Sequence, residues 1–241
     1  MAHVSDYDAF APVYDAWSGH MTEDVDFYVS LAEEANGPIV ELAVGNGRVA
    51  VPIAARTGKR VIGIDTSDAM LAGAAERAAR AGVRPCGESP QGCLDLRRGD
   101  MRDFALEEPT DLVICPFRSL LHLPSRDDRL QVFCRVAAAL APGGRFAWNA
   151  FVFDPAVARE LGGEWREQGG VRHRVDHDFG ERRIDLTLAD GSSVPLWWVD
   201  PAEWDGLVVD AGLELEARYG WFDRRPFDGT SREAVYVARR R

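Results

Sequence analysis

The chain has 241 residues, 46% of them hydrophobic and 28% charged, which is the composition of an ordinary globular protein long enough for a substantial core. Its formal net charge of −11 argues against a nucleic-acid partner, because phosphate binding draws on Lys and Arg, and the basic run is confined to the Arg239-Arg240-Arg241 tail. No apolar run approaches the roughly 18 residues of a membrane span, so no membrane partner is expected.

The opening MAHVSDYDAF carries Asp6 and Asp8 and has no apolar signal core. The cysteines are Cys86, Cys93, Cys115 and Cys134, without a C-x-x-C pair. A reduced, cytoplasmic protein is therefore expected, with Cys115 and Cys134 as buried thiols and a Cys86–Cys93 disulfide as the alternative.

IVELAV at 39–44 is a short β-branched apolar run that ends at a glycine turn, and GRVAVPIAART carries helical periodicity. RVIGID at 60–65 reads as a buried strand. SDAMLAGAAERAARAG at 67–82 reads as a helix capped by Ser67 and stopped by Gly82. After a loop at GVRPCGESPQG come strands at CLDLRRGD and TDLVICPF, a capped helix at 125–144 with a Pro-Gly-Gly terminator, and a strand at RFAWNAFVF. Alternating strands and helices through about residue 153 predict a parallel, doubly wound α/β sheet. Beyond it, VRHRVDHDF, ERRIDLTLAD and SVPLWWV alternate with period two around glycine turns and predict antiparallel strands. DPAEWDGLVVDAG resumes helix, and LELEARYGWF and REAVYVARR close as strands.

Gly45-Asn46-Gly47 with Ala50 fits the dinucleotide fingerprint G-x-G-x-x-G/A, and Asp65 follows Gly45 by 20 positions. The turn brings backbone N–H groups and a helix start close to a ligand, since glycine has no side chain to hold it away. Glu41 just before the turn would repel the pyrophosphate that this pattern usually receives, and would favour a ligand bearing an ammonium or sulfonium. S-adenosylmethionine carries both cations, and its ribose suits the Asp65 carboxylate. After the third predicted strand, RRGDMRDF places Asp100 to accept from an adenine amine, with the Met101 N–H on a ring nitrogen.

In VELAVGNGR, VIGIDTSDAML, RRGDMRDF, DLVICPFRSLLHL and LAPGGRF, across about residues 38–147, the sequence resembles the class I S-adenosylmethionine-dependent methyltransferases of small-molecule type. The resemblance implies a Rossmann-like seven-stranded sheet of order 3-2-1-4-5-7-6 in a single domain over 1–241. Within it, 1–37 would form an N-terminal helical lid, 38–153 the donor-binding core, 154–200 a small antiparallel insertion after the fifth strand, and 201–241 the C-terminal helix and closing strands. By position, Glu41, Ala43, Gly45 and Gly47 would line the methionine part of the donor, Asp65 and Thr66 the ribose, and Asp100 and Met101 the adenine. Met70 would pack beside the adenosine, Phe117 near the sulfonium, and Tyr14 would reach the donor from the lid. Ala43 stands where an additional glycine is common, and Asn46 where Thr or Ser is usual.

For the acceptor, His122 in FRSLLHLPS is the candidate catalytic residue, as general base or as substrate orienter. Arg118 is a candidate partner for an acidic group on the acceptor, and Trp17 and Trp198 are candidate walls of the acceptor pocket. Tyr7 and Phe10 are read as helix-packing rings. His173 and His177, with Asp176 and Asp178, lack an H-E-x-x-H or Cys partner, so no metal is expected. The fourth strand ends in Cys115-Pro116-Phe117 and lacks the Asn/Asp-Pro-Pro-Tyr/Phe of methyltransferases acting on nucleobase amines or planar amides. The expected reaction is methyl transfer from S-adenosylmethionine to an N or O atom of a small molecule, and the FRSLLHL and GDMRDF segments resemble those of amino-sugar N-methyltransferases. A nicotinamide-dependent oxidoreductase and a non-catalytic S-adenosylmethionine-binding module are the alternatives.

Overall fold

The computed structural model describes residues 6–19, 21–87 and 92–241. The helices are α1 (Ala11–Ser18), α2 (Val25–Glu34), α3 (Ala50–Thr57), α4 (Asp68–Arg80), α5 (Arg126–Ala139), α6 (Pro155–Leu161) and α7 (Pro201–Asp210). The first six strands are β1 (Ile39–Leu42), β2 (Val61–Asp65), β3 (Arg84–Pro85), β4 (Cys93–Arg98), β5 (Thr110–Cys115) and β6 (Leu140–Phe151). The others are β7 (Trp165–Gln168), β8 (Val171–Asp178), β9 (Arg183–Leu188), β10 (Ser193–Trp197), β11 (Leu213–Tyr219) and β12 (Glu233–Arg240).

Eight strands form the central sheet in the order β11-β12-β6-β5-β1-β2-β4-β3, parallel except for the β6–β12–β11 end. The eighth strand, absent from the expected seven, is the two-residue β3 on the outer edge of β4. β1 lies at the centre and all four of its residues are buried, as a sheet covered on both faces requires. Its side chains alternate: Val40 and Leu42 join the core under α5 and α7, whereas Ile39 joins the core under α2 and α3. Glu41 follows Ile39 onto the α2–α3 face. Opposite it in the register sits Gly63, where a Cβ would come within 2.8 Å of the Val44 side chain.

The larger core is aromatic. Trp148 of β6 lies parallel to Tyr236 of β12 with ring centroids 4.8 Å apart, and Phe133 of α5 meets Trp148 edge-on at 5.0 Å. These contacts add directional preference to the area they bury. A second sheet, β10-β9-β8-β7, is wholly antiparallel and follows α6. Its inner face packs Val171, Leu186, Leu188 and Val194 on Phe10, so the small sheet shares a core with the N-terminal segment.

Three local expectations are corrected. The helix predicted over 125–144 stops at Ala139, and Leu140 is already extended, with φ −73° and ψ 142°. Pro142 disfavours helix at Ala141, and a Cβ at Gly144 would lie 2.9 Å from the Ala141 carbonyl oxygen and 3.0 Å from that of Thr110. Cys86 and Cys93 are joined in a disulfide with Cα atoms 5.0 Å apart, because the parallel β3–β4 pairing brings the two segments side by side. Of the other two cysteines, Cys115 is buried but Cys134 is exposed on α5. β7, which the sequence pattern did not announce, pairs with β8 across the Gly169-Gly170 turn. Among the described residues no helix is long and apolar enough to cross a membrane.

Candidate active site

The parallel strands end on one side of the sheet in a cavity of about 580 Å³. Two neighbouring strands deliver strained backbone there: Ala43 after β1 has φ 53°, and Phe117 and Arg118 after β5 have φ 59° and 65°. Left-handed conformations are costly for residues with a Cβ and concentrate where a ligand or catalytic group must be presented. Ala43, Gly45 and Phe117 all line the cavity.

Asp65 closes β2. Its carboxylate accepts from the Gly45 N–H at 2.8 Å and the Ser67 N–H at 2.9 Å, which ties the glycine turn to the start of α4. Burial raises its pKa, and those backbone N–H bonds oppose the rise. A carboxylate offers about four lone-pair sites, so acceptor capacity is left for a ligand. Asp65, Thr66, Met70, Asp100 and Met101 form one wall of the cavity. Asp100 is engaged by the Arg102 guanidinium, with Nη2 at 2.6 Å, and this bond holds its carboxyl below the ordinary range.

Tyr14 reaches the cavity from α1. The next residue, Asp15, receives the Asn46 side-chain amide and the Arg77 guanidinium. Asn46, the unusual residue of the glycine turn, therefore anchors α1 over the turn. Arg48 forms a two-pronged bond to Asp24, both contacts at 2.6 Å, and its guanidinium lies 4.6 Å from the Phe117 ring centre.

Glu41 is 3% exposed and does not form part of the cavity wall; its strand position turns it to the α2–α3 face. Burial lifts its carboxyl well above the ordinary value of 4.5, Arg48 opposes this, and Asp24 and Asp65 reinforce it. Its Oε2 is buried with no hydrogen-bond partner among the described residues. Because the folded-state pKa is raised, ionisation of Glu41 opposes folding: its contribution is intact below about pH 4.5 and is lost as pH rises. Glu41→Gln is accordingly expected to stabilise the ligand-free protein by about 1–3 kcal/mol at pH 7 in urea unfolding while weakening donor binding. A variant that lost both stability and affinity would show that the carboxylate is compensated in some other way.

Gly47, expected at the ligand, is not at the cavity wall. Its φ is 76°, and a Cβ there would lie 3.1 Å from Val51 and 3.2 Å from Ala74, so it allows α3 and α4 to approach the turn. Arg118 does not face an acceptor: its Nη2 reaches Glu233 at 2.6 Å, and Glu233 also accepts from Asn149 Nδ2 at 2.6 Å. Trp198 lies outside this cavity, stacked on Phe153 with centroids 3.8 Å apart. Trp17 stands one layer behind the wall, edge-on to Phe117 at 6.2 Å and to His173 at 6.4 Å. Among the described residues no group of three or more His, Cys, Asp or Glu is placed to hold a metal.

His122 lines the cavity between two elements remote in sequence. Its Nδ1 bonds the Pro195 carbonyl at 2.9 Å and its Nε2 bonds the Tyr7 hydroxyl at 2.8 Å. A carbonyl only accepts, so Nδ1 carries a proton, and in the neutral ring Nε2 accepts from Tyr7. Tyr7, read from sequence as a packing ring, is thus part of the cavity, while Phe10 is packing. Nothing in the sequence linked Tyr7 or Pro195 to His122: they lie 115 and 73 positions away.

A strand-end carboxylate with acceptor sites to spare, a buried carboxylate oxygen without a donor and an aromatic wall fit an adenosyl ligand bearing cations. They do not fit a pyrophosphate, which the Asp65 carboxylate at the cavity wall would repel. Fold and site are together those of a doubly wound α/β protein with a ligand-sized cavity at the strand ends. Residues 39–144 match the family model described as "Methyltransferase domain". The chain is 30% identical over 142 residues to a dTDP-4-amino-2,3,4,6-tetradeoxy-D-glucose N,N-dimethyltransferase of Saccharopolyspora spinosa, covering 56% of this chain and 51% of that protein. It spans about half the length of this curated relative. The CcbJ methyltransferase of Streptomyces caelestis is similar at 29% identity and TM-score 0.78, covering 98% of each chain. The S-adenosylmethionine-bound amino pentose methyltransferase CalS10 of Micromonospora echinaspora shares the fold at 23% identity and TM-score 0.66, covering 97% of each chain. Residues 39–144 thus match a methyltransferase domain, and over nearly its whole length the chain is similar in fold to a methyltransferase of known structure.

Proposed function

We infer that the protein transfers the methyl group of S-adenosylmethionine to an N or O atom of a small-molecule acceptor, an amino sugar or a related natural-product intermediate, within one domain over residues 1–241. The observation that carries the acceptor reading is the Tyr7–His122 pair at the cavity wall, held from behind by the Pro195 carbonyl. The relatives support it, since one is named as acting on a deoxyamino sugar nucleotide and another on an amino pentose.

When bound, the donor supplies an electrophilic methyl on a sulfonium. Asp65 would hold the ribose hydroxyls, Asp100 and the Met101 N–H the adenine, and Ala43, Gly45 and Thr66 would close on the donor's backbone. Met70 would pack on its adenosine and Tyr14 would cover its sulfonium end beside Phe117. Glu41, outside the cavity wall, would act on the donor's cationic end only at a distance and only in its ionised form, which burial disfavours. Tyr7 and His122 orient the acceptor; when Tyr7 gives its proton contact over to the acceptor, Nε2 of His122 becomes the site that takes the proton displaced by methylation. Displacement at a methyl group depends mostly on alignment and exclusion of water, and the aromatic wall of Tyr7, Tyr14 and Phe117 serves both. The reading carries a cytoplasmic setting with it. The Cys86–Cys93 bond counts against that setting, because reducing compartments keep such pairs as thiols.

The test is incubation with methyl-labelled donor and a panel of amino sugars, hydroxylated sugars and nucleotide-linked sugars. Labelled N- or O-methyl product is expected. Donor binding without labelled product across the panel would favour a binding module. His122→Gln is expected to lower kcat by about 10²-fold, with the affinity for S-adenosylhomocysteine unchanged in calorimetric titration. Unchanged turnover would remove His122 from the reaction.

A further inference from the structure

A second cavity, of about 180 Å³, opens beside α5 and α7 at the end of β10 and shares no lining residue with the first. Trp197, Trp198 and Leu207 give it an apolar side, and Arg129 of α5 enters it from the core. Arg129 is 6% exposed, and burial lowers its pKa to about 10. A guanidinium carries five N–H donors. Among the described residues Arg129 makes one hydrogen bond, from Nη2 to the Trp197 carbonyl at 3.2 Å, and its Nε–H has no partner.

The two acids that attract Arg129 electrostatically, Glu203 and Asp128, are committed elsewhere, Asp128 to Arg102 at 2.8 Å. Glu203 attracts Arg129 electrostatically, but its Oε1 accepts from Arg182 at 2.9 Å and its Oε2 from the Asp200 N–H at 3.0 Å, closing the capping box of α7. The two rim cations are paired, Arg126 with Asp210 and Arg182 with Asp200 and Glu203. Arg129 is left as a buried cation beside open space, in an arrangement that disfavours the empty state unless an anion completes it. Water filling the cavity would supply acceptors but no countercharge.

We propose that this cavity binds a small monocarboxylate, with its carboxylate on the Arg129 fork and its apolar remainder against Trp197 and Trp198. A carboxylate matches the planar guanidinium, and Glu181 and Glu203 in the cavity lining oppose a dianion, which selects a carboxylate over phosphate. The occupant would steady the end of β10 that also presents the Pro195 carbonyl to His122. The site is independent of the donor cavity and goes beyond the methyl-transfer reading.

The test is titration of the whole chain with sodium benzoate and, separately, inorganic phosphate, followed by tryptophan fluorescence and by Tm. Benzoate is expected to saturate one site and raise Tm, and phosphate is expected to do neither. Arg129→Met, an apolar replacement of similar length, is expected to bind benzoate at least about tenfold more weakly. Arg129→Lys, which keeps the charge without the fork, is also expected to bind it more weakly. Both variants should bind S-adenosylhomocysteine as the parent does, which certifies their folding. Equal benzoate binding by the parent and Arg129→Met, preference for phosphate, or no saturable benzoate response in the parent would each overturn the proposal.

Discussion

Asp65→Ala is expected to weaken S-adenosylhomocysteine by roughly a hundredfold or more, read as Kd in calorimetric titration. Hydrogen bonds to a charged acceptor contribute about 1.5–3 kcal/mol each, and a ribose offers two hydroxyls to one carboxylate. The same carboxylate holds the Gly45 and Ser67 N–H groups, so its removal also loosens the turn that faces the donor. Asp65→Asn separates the two contributions: it keeps an acceptor oxygen but loses the charge, and should fall between the parent and the alanine variant. An unchanged Kd for Asp65→Ala would place the ribose elsewhere.

Arg48→Met is expected to destabilise the fold by about 3–5 kcal/mol, measured by urea unfolding. The side chains of Arg48 and Asp24 are 10% and 5% exposed, and the pair is bonded through both prongs. Removing the cation leaves Asp24 buried without its countercharge and removes the group that opposes the rise in the Glu41 pKa. Arg48→Met combined with Asp24→Leu should recover much of the loss, because an apolar pair of similar volume leaves no uncompensated charge. If the double variant were no better than Arg48→Met, the cost would lie in packing against Phe117 and not in charge.

The alternating half of the fold was legible because parallel strands buried on both faces read as continuous apolar runs, and IVELAV and TDLVIC are such runs. Ser67 and Gly82 punctuate α4 by backbone chemistry that needs no tertiary context. β7 stayed hidden because WREQ carries no apolar alternation, and it pairs only along its β8 side. Of the residues expected at the donor, Gly45 and Asp65 followed from spacing and Ala43 from the resemblance, and all three line the cavity. Glu41 needed the sheet: its charge pointed to a cationic ligand, but its face follows from strand alternation in a doubly covered sheet. Arg118 was misread because Glu233, its partner, lies 115 positions away. The disulfide depended on β3, too short a strand to carry a pattern.

The contacts that close the cavity also bear on the order of synthesis. Tyr7 waits for His122, Gln168 donates its side-chain amide to the Trp17 carbonyl at 3.0 Å across 151 positions, and Gly169 packs directly over the Ala16 carbonyl. The segment of Tyr7 and α1 is therefore completed by elements made much later. Such distant closures are entropically slow compared with local helix formation. The glycine turn and the first strands are able to gather early, whereas the Tyr7–His122 side of the cavity lacks Val194 and Pro195 until β10 has emerged. A nascent chain halted before β10 would carry the strand ends, the glycine turn and His122, but not the Pro195 carbonyl that holds the His122 ring.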